Sequence, residues 1–236
     1  MAQPNPYAPP QAVESPAGAS VHAAAYGESY VPLGWRTPVA AALVLASVVV
    51  DAGADLVQLS IGEALQQHVR AGDPDLVDAM IITLAGLVSL TVSIGAWIFV
   101  GVWLHRAARN LRGLGRFGMR FSPAACVGWY FVPIANLWKP VQAMSEIWRA
   151  SDPAADQGSW LTGSRGTPLL AVWWSAWLLS SFVALGTLAT LGQPIAAARV
   201  GLTAKAFLGV AAVALVLLMR GVASRQARAG ARPPAA

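Results

Sequence analysis

Charged side chains are scarce in this sequence: Asp, Glu, Lys and Arg make up 11% of its 236 residues. Soluble domains carry about 25%, so a chain built mainly of solvated globular domains is excluded. Cysteine is almost absent. Cys126 stands alone, which rules out an intramolecular disulfide and leaves a small buried hydrophobe as its expected role. The three histidines, His22, His68 and His105, are too scattered for metal-ligand spacing. No Ser-His-acid set follows from spacing either, so no catalytic site, metal or cofactor is expected, and the reading is of a protein that is not an enzyme. A basic start followed at once by an apolar core is also missing. No cleavable signal peptide is therefore expected, and the first apolar run has to act as its own insertion signal.

What the chain has in abundance is apolar: 56% of residues, with a mean hydropathy of +0.54. Four long runs start near Val39, Ala79, Leu169 and Gly201, each about 20 residues and so long enough to cross roughly 30 Å of hydrocarbon as helix. The expected fold is an all-α membrane protein with four transmembrane helices, at about 38–60, 79–104, 168–191 and 201–220, within one membrane domain over 36–222. Residues 1–35 are dense in Pro and Ala, show no apolar periodicity and are expected to be a disordered tail. Its tyrosines Tyr7, Tyr26 and Tyr30 leave open a docking peptide for a protein partner beside the plainer flexible tether. Residues 223–236 read as a basic tail.

Basic residues are retained on the cytoplasmic side, and their distribution orients the chain. The connection from His105 to Thr167 holds Arg106, Arg109, Arg112, Arg116, Arg120, Lys139, Arg149 and Arg165; the connection after the first span holds Arg70 alone. Arg220, Arg225, Arg228 and Arg232 follow the last span. With four spans, both termini and the central connection fall in the cytoplasm. Trp97 and Trp103 close the second span while Trp173, Trp174 and Trp177 open the third, all toward the inner headgroups.

Residues 121–138, "FSPAACVGWYFVPIANLW", are apolar yet interrupted. A full crossing would invert every later segment and put the C-terminal arginines outside, and Pro133 would leave backbone groups that hydrocarbon cannot satisfy. The segment is read as re-entrant or interfacial, with a kinked fifth helix as the alternative. A short helix follows, with Pro140 in its first turn and Val141, Met144, Ile147 and Trp148 along one side, while Glu146 and Arg149 lie on the other. It is expected either to lie on the inner face, anchored by Trp138 and Trp148, or to cover protein core. The central segment thus runs over 121–150.

Arg106, Arg109, Arg112, Arg116 and Arg120 are spaced three, three, four and four apart, which on a helix confines them to an arc of roughly 120°. Such a stripe would either dock anionic lipid or simply fix topology. Gly113, Gly115 and Gly118 weaken helix there, so a break after Leu111 is expected. The same glycines spell G-x-G-x-x-G, but no strand precedes them, so no nucleotide fingerprint is read. Nucleic-acid binding is not expected either, because the pI near 10.0 reflects arginines flanking membrane spans.

The stretches "RAARNLRGLG", "FSPAACVGWYFVPIANLWKPVQAMSEIWRAS" and "WWSAWLLS" resemble the bacterial membrane family catalogued as domain of unknown function (DUF) 4328. Its marks are an R-N-L segment, an aromatic core of the form FxPIxNLxxP, and a short helix ending in Ile-Trp and Ser. The resemblance is strong from about Trp103 to Ser180 and looser elsewhere; Ala124 and Ala125 stand where it implies a Gly-Trp pair. It implies a multi-pass protein of the bacterial cytoplasmic (inner) membrane, and it brings no activity.

Asp51 and Asp55 fall inside the first span, where a carboxylate costs about 2.5 to 3.5 kcal/mol on insertion scales. Lys205 lies at similar depth in the last span, so Asp51 or Asp55 is expected to pair with it, a proton or cation site being the alternative. Ala85, Ser89 and Ser93 recur at i+4 and are read as small residues permitting close helix contact. Three function classes remain. One is a protein docking lipid or a partner through its arginines, Trp138, Lys139 and Trp148. The second is a small carrier or channel with a polar site at Pro133, Asn136 and Pro140. The third is a lipid-modifying enzyme. The first is preferred.

Overall fold

A computed structural model describes residues 29–72, 75–154, 166–190 and 192–231. The expected disorder of the N-terminal tail, apart from its last residues, lies outside that range, as do Arg165 and Arg232.

Four helices carry the fold: α1 over Arg36–Ala71, α2 over Leu76–Gly113, α5 over Pro168–Leu185 and α6 over Pro194–Gly230. Between α2 and α5 lie two short ones, α3 over Pro123–Gly128 and α4 over Lys139–Ala150. The four long helices are each apolar and long enough to cross a membrane, α5 together with the 3₁₀ turn Gly186–Thr190 that continues it. This is an all-α, multi-pass membrane protein.

Local chemistry sets the ends. Asp75 caps α2 by accepting from Val77 N at 2.9 Å and Asp78 N at 3.3 Å, and Pro168 and Pro194 stand in first turns where no donor is lost. At the far end of α2, Gly115 has φ +72°; Arg116 N donates to Leu111 O at 2.8 Å and Gly115 N to Arg112 O at 2.9 Å. That pair of bonds is a Schellman closure, and the left-handed residue it requires is the glycine.

The helices outrun their apolar stretches. α1 has 36 residues and α2 has 38, about 54 and 57 Å at 1.5 Å per residue, against roughly 30 Å of hydrocarbon. α6 likewise runs on to Gly230, so the stretch read as a tail from residue 223 begins as helix. The helices run on through Gly62 and Gly221 and contain no proline in these C-terminal extensions, whereas hydropathy marks only the part suited to lipid.

α1 packs along α2 and α6, and α5 along α6. Contacts in the middle are made by small side chains, including Ala40, Ala41, Ala204, Ala211 and Ala212, which allow close approach where lipid removes the hydrophobic drive between helices. Outer faces stay apolar and exposed, as at Val49, Leu87, Ile94, Ile98 and Phe182. The bulky core gathers at one end, around Trp103, Leu111, Met144, Ile147, Trp173, Leu218 and Met219. That end carries Arg106, Arg109, Arg112, Arg220, Arg225 and Arg228, and is called the basic end below.

Candidate functional site

The Pro-broken segment is a hairpin. Ser122 Oγ accepts from Ala125 N at 3.1 Å and starts α3 with Pro123 in its first turn. After α3 the chain passes through a 3₁₀ turn at Trp129–Phe131, an extended Val132, and a second 3₁₀ turn at Ala135–Leu137. Val132 is extended because Pro133 follows it, and Pro133 forms the exposed tip. Phe131 and Ile134 at that tip are 81% and 73% exposed, a surface suited only to lipid or a partner.

The hairpin is inserted between α2 and α5. Tyr130 meets Trp97 edge-on at 6.1 Å between ring centres, and Trp174 Nε1 donates to Leu137 O at 2.9 Å. Trp97 precedes the exposed Arg109 by twelve residues (109 − 97), about 18 Å along the helix, so the hairpin reaches well into the bundle. Both of its ends nevertheless stay together at the basic end, because Lys139 Nζ lies 5.6 Å from the Phe121 ring centre and 5.5 Å from that of Trp129. A fifth crossing is excluded.

α4 covers core. Pro140, Ala143, Met144, Glu146, Ile147 and Trp148 are buried, which favours the second of the two placements expected for this helix. Trp148 is no headgroup anchor: its ring stacks under the Arg225 guanidinium at 4.0 Å in space left by Gly221. Glu146 is not on a solvated face but accepts from the backbone N–H groups of Arg120 and Phe121. Burial pushes its carboxyl above the usual range, outweighing those two bonds and the Arg120 charge, which act in the opposite sense. Trp138 remains partly exposed.

The arginines do not form one stripe. With α2 closed at Gly113, Arg106, Arg109 and Arg112 share its last turns while Arg116 turns inward, buried, and donates to Asp152 O at 3.2 Å. Arg120 lies over the Phe121 ring at 5.5 Å. The left-handed Gly115 redirects the chain before the helical spacing can continue.

Among the intramembrane charges, Lys205 Nζ lies 3.3 Å from Asp55 Oδ2, joining α6 to α1. Gly201 makes room for that carboxylate, since a Cβ there would meet Asp55 Oδ2 at 2.6 Å. Asp51 faces α2 instead, where Ser89 Oγ donates to its Oδ1 and Ser93 Oγ to Oδ1 at 2.9 Å and Oδ2 at 3.1 Å. Ser89 and Ser93 are therefore hydrogen-bond donors as well as small residues.

Two cavities flank the hairpin. A groove of about 1080 Å³ runs between α2 and the hairpin, walled by Ile94, Ile98, Val127 and Phe131, with Arg36 and Arg106 on its lining and Asn136 facing it. The Asn136 Oδ1 atom is buried without a hydrogen-bond partner. A smaller chamber of about 90 Å³ lies beside it, bordered by Asp51, Ser93, Trp97, Tyr130, Trp173 and Trp177. Trp97, Tyr130 and Trp177 line both.

Sequence reasoning missed one polar node altogether. Asn110 is buried in α2; its Nδ2 donates to Val31 O at 2.8 Å and to Gln226 Oε1 at 3.1 Å, and its Oδ1 accepts from Val31 N at 3.3 Å. Gln226 Nε2 donates in turn to Ala107 O at 2.9 Å and Ser151 Oγ at 3.1 Å. The node thus ties α2, α6, the end of α4 and the segment entering α1. A signal was present in the R-N-L triplet, whose asparagine is Asn110.

The sequence model of the family described as "Domain of unknown function (DUF4328)" matches residues 70–227. The chain belongs to this family. No curated protein and no solved structure matches it. The region that defines DUF4328 here contains Asn110, the hairpin, α4, α5 and Gln226, and it leaves Asp51 and Asp55 outside.

Proposed function

We propose that this DUF4328 protein is a binding protein, not an enzyme, which holds an anionic lipid in the groove between α2 and the hairpin. The carrying observation is the groove's composition: apolar walls from Ile94, Ile98 and Phe131 run to a lining that includes Arg36 and Arg106. Acyl chains match the walls, and a phosphate headgroup matches the guanidinium groups. Asn136 adds one polar side chain to the lining of the same groove. Arg109 and Arg112 belong to the same turns of α2 and add to the attraction at its rim.

The Lys and Arg distribution supports a placement with the basic end and both termini in the cytoplasm, and the family resemblance implies a bacterial inner membrane. A protein partner would be taken through the N-terminal tail. A carrier is the second reading, favoured by one observation: Asn136 faces a cavity that reaches α2 and α5. Lys139 does not line that cavity; it sits between the Phe121 and Trp129 rings.

The test is native mass spectrometry of delipidated protein titrated with phosphatidylglycerol or phosphatidylcholine. Phosphatidylglycerol is expected to be retained selectively. Two charges at about 1 kcal/mol each make Arg36→Gln with Arg106→Gln weaken it about 30-fold. Equal retention of both lipids, or no change in the double variant, would overturn the reading.

A further inference from the structure

Asp51 has hydrogen-bond donors but no counter-charge. Its oxygens take the Ser89 and Ser93 hydroxyls, while Lys205 is engaged by Asp55. Among the described residues no cationic side chain pairs with Asp51. A carboxylate ionised in a membrane-spanning helix is stabilised by a positive charge beside it.

The space in front of it has a definite chemistry. Trp97, Tyr130, Trp173 and Trp177 border the chamber together with Asp51 and Ser93. Aromatic faces carry the negative part of the ring quadrupole and attract cations, above all those with an apolar shell. Ca²⁺ and Mg²⁺ fit poorly, because they demand about six or more oxygen ligands and most of this wall is carbon. At about 90 Å³, against about 1080 Å³ for the neighbouring groove, the chamber is too small for a diacyl lipid. Access runs from the larger groove past Trp97, Tyr130 and Trp177, the side chains common to both cavities.

We propose that this chamber binds a small alkylammonium ion, its charge met by the Asp51 carboxylate and its methyl groups by the faces of the surrounding aromatic rings. The site adjoins the groove and shares Trp97, Tyr130 and Trp177 with it, but the proposal does not require that groove to take lipid.

The experiment uses the full chain purified in a neutral detergent, with intrinsic tryptophan fluorescence and thermal unfolding followed during titration with tetramethylammonium chloride, and with NaCl at matched ionic strength. Tetramethylammonium is expected to give a saturable fluorescence change and a raised unfolding temperature that NaCl does not reproduce. Asp51→Asn keeps the shape and removes the charge, and is expected to weaken binding at least about tenfold. Trp177→Leu removes one aromatic wall without touching charge and is expected to weaken it about tenfold as well. No saturable response in the wild-type protein, an equal response to NaCl, or unchanged affinity in Asp51→Asn would overturn the proposal. If Asp51→Asn does not fold, Trp177→Leu decides: full affinity in that variant overturns it.

Discussion

Lys139 caps the ring of Phe121 from across the mouth of the hairpin, at 5.6 Å from its centre, so the residues that open and close the segment lie side by side. A crossing would separate them by the thickness of the membrane. In a Cys126→Ala background, reporter cysteines replacing the exposed Ser122, Gln142 and Ser224 are therefore expected to react with an impermeant maleimide from one and the same side of sealed vesicles. Labelling of the Ser122 and Gln142 positions from opposite sides would contradict the hairpin.

The Asp55 and Lys205 pair predicts an asymmetry between single and double replacement. Lys205→Met leaves a carboxylate inside the bundle without its cation, at a cost of about 2–3 kcal/mol, somewhat reduced because both side chains are about a quarter exposed (22% and 25%). Asp55→Asn combined with Lys205→Met removes both charges and is expected to recover most of that loss in thermal unfolding in detergent. Gly201→Ala adds a third arm. Glycine to alanine inside a helix ordinarily stabilises by about 1 kcal/mol. Here the new Cβ would sit 2.6 Å from Asp55 Oδ2, and the sign is expected to reverse.

Asn110 clamps the segment before α1 through both the N–H and the C=O of Val31. Close approach is possible because Gly113 and Gly230 carry no Cβ: added there, one would meet Tyr30 N at 2.5 Å and the other the Tyr30 ring at 2.6 Å. Asn110→Ala leaves the buried Gln226 side chain and the part-buried Val31 backbone groups without this partner and is expected to cost about 1–3 kcal/mol. It is also expected to open the Tyr30 peptide bond to chymotrypsin at concentrations that leave that bond intact in the wild-type protein.

Legibility of the sequence followed the kind of signal each residue carried. The four long helices were readable because a run of apolar residues is a local property, and the hairpin because Pro133 and the charge rule both oppose a crossing. Asp55 and Lys205 were readable as intramembrane charges that need partners. The break in the arginine spacing was readable from Gly113, Gly115 and Gly118, and the helix closes at Gly113, two residues past the expected Leu111; where Arg116 and Arg120 go after that break was not, because their contacts lie in distant parts of the chain. Trp148 misled because an aromatic on an amphipathic helix looks the same whether lipid or protein covers it; only the nearby α6, with Gly221, decides. Neither Asn110 with Gln226 nor Ser89 and Ser93 with Asp51 could be paired by spacing, since each contact joins distant parts of the chain.

Glu146 predicts a pH dependence with a definite sign. Its two oxygens accept from Arg120 N and Phe121 N, bonds that favour the ionised form, but burial disfavours that form more strongly and raises the carboxyl above its ordinary value of 4.5. The folded state therefore holds a proton that the unfolded chain releases at lower pH, and between the two values stability falls as pH rises. The contribution is fully present below 4.5 and is lost as pH climbs through the raised value. Glu146→Gln cannot titrate, so the difference in unfolding temperature between wild type and this variant, followed from about pH 4 to about pH 8, is expected to move against the wild type with rising pH. A difference moving in its favour would mean that the two backbone bonds outweigh burial. Glu146→Ala separates hydrogen bonding from charge: both amides lose their acceptor, at about 1–3 kcal/mol for each buried group, and the loss is expected at every pH in the range.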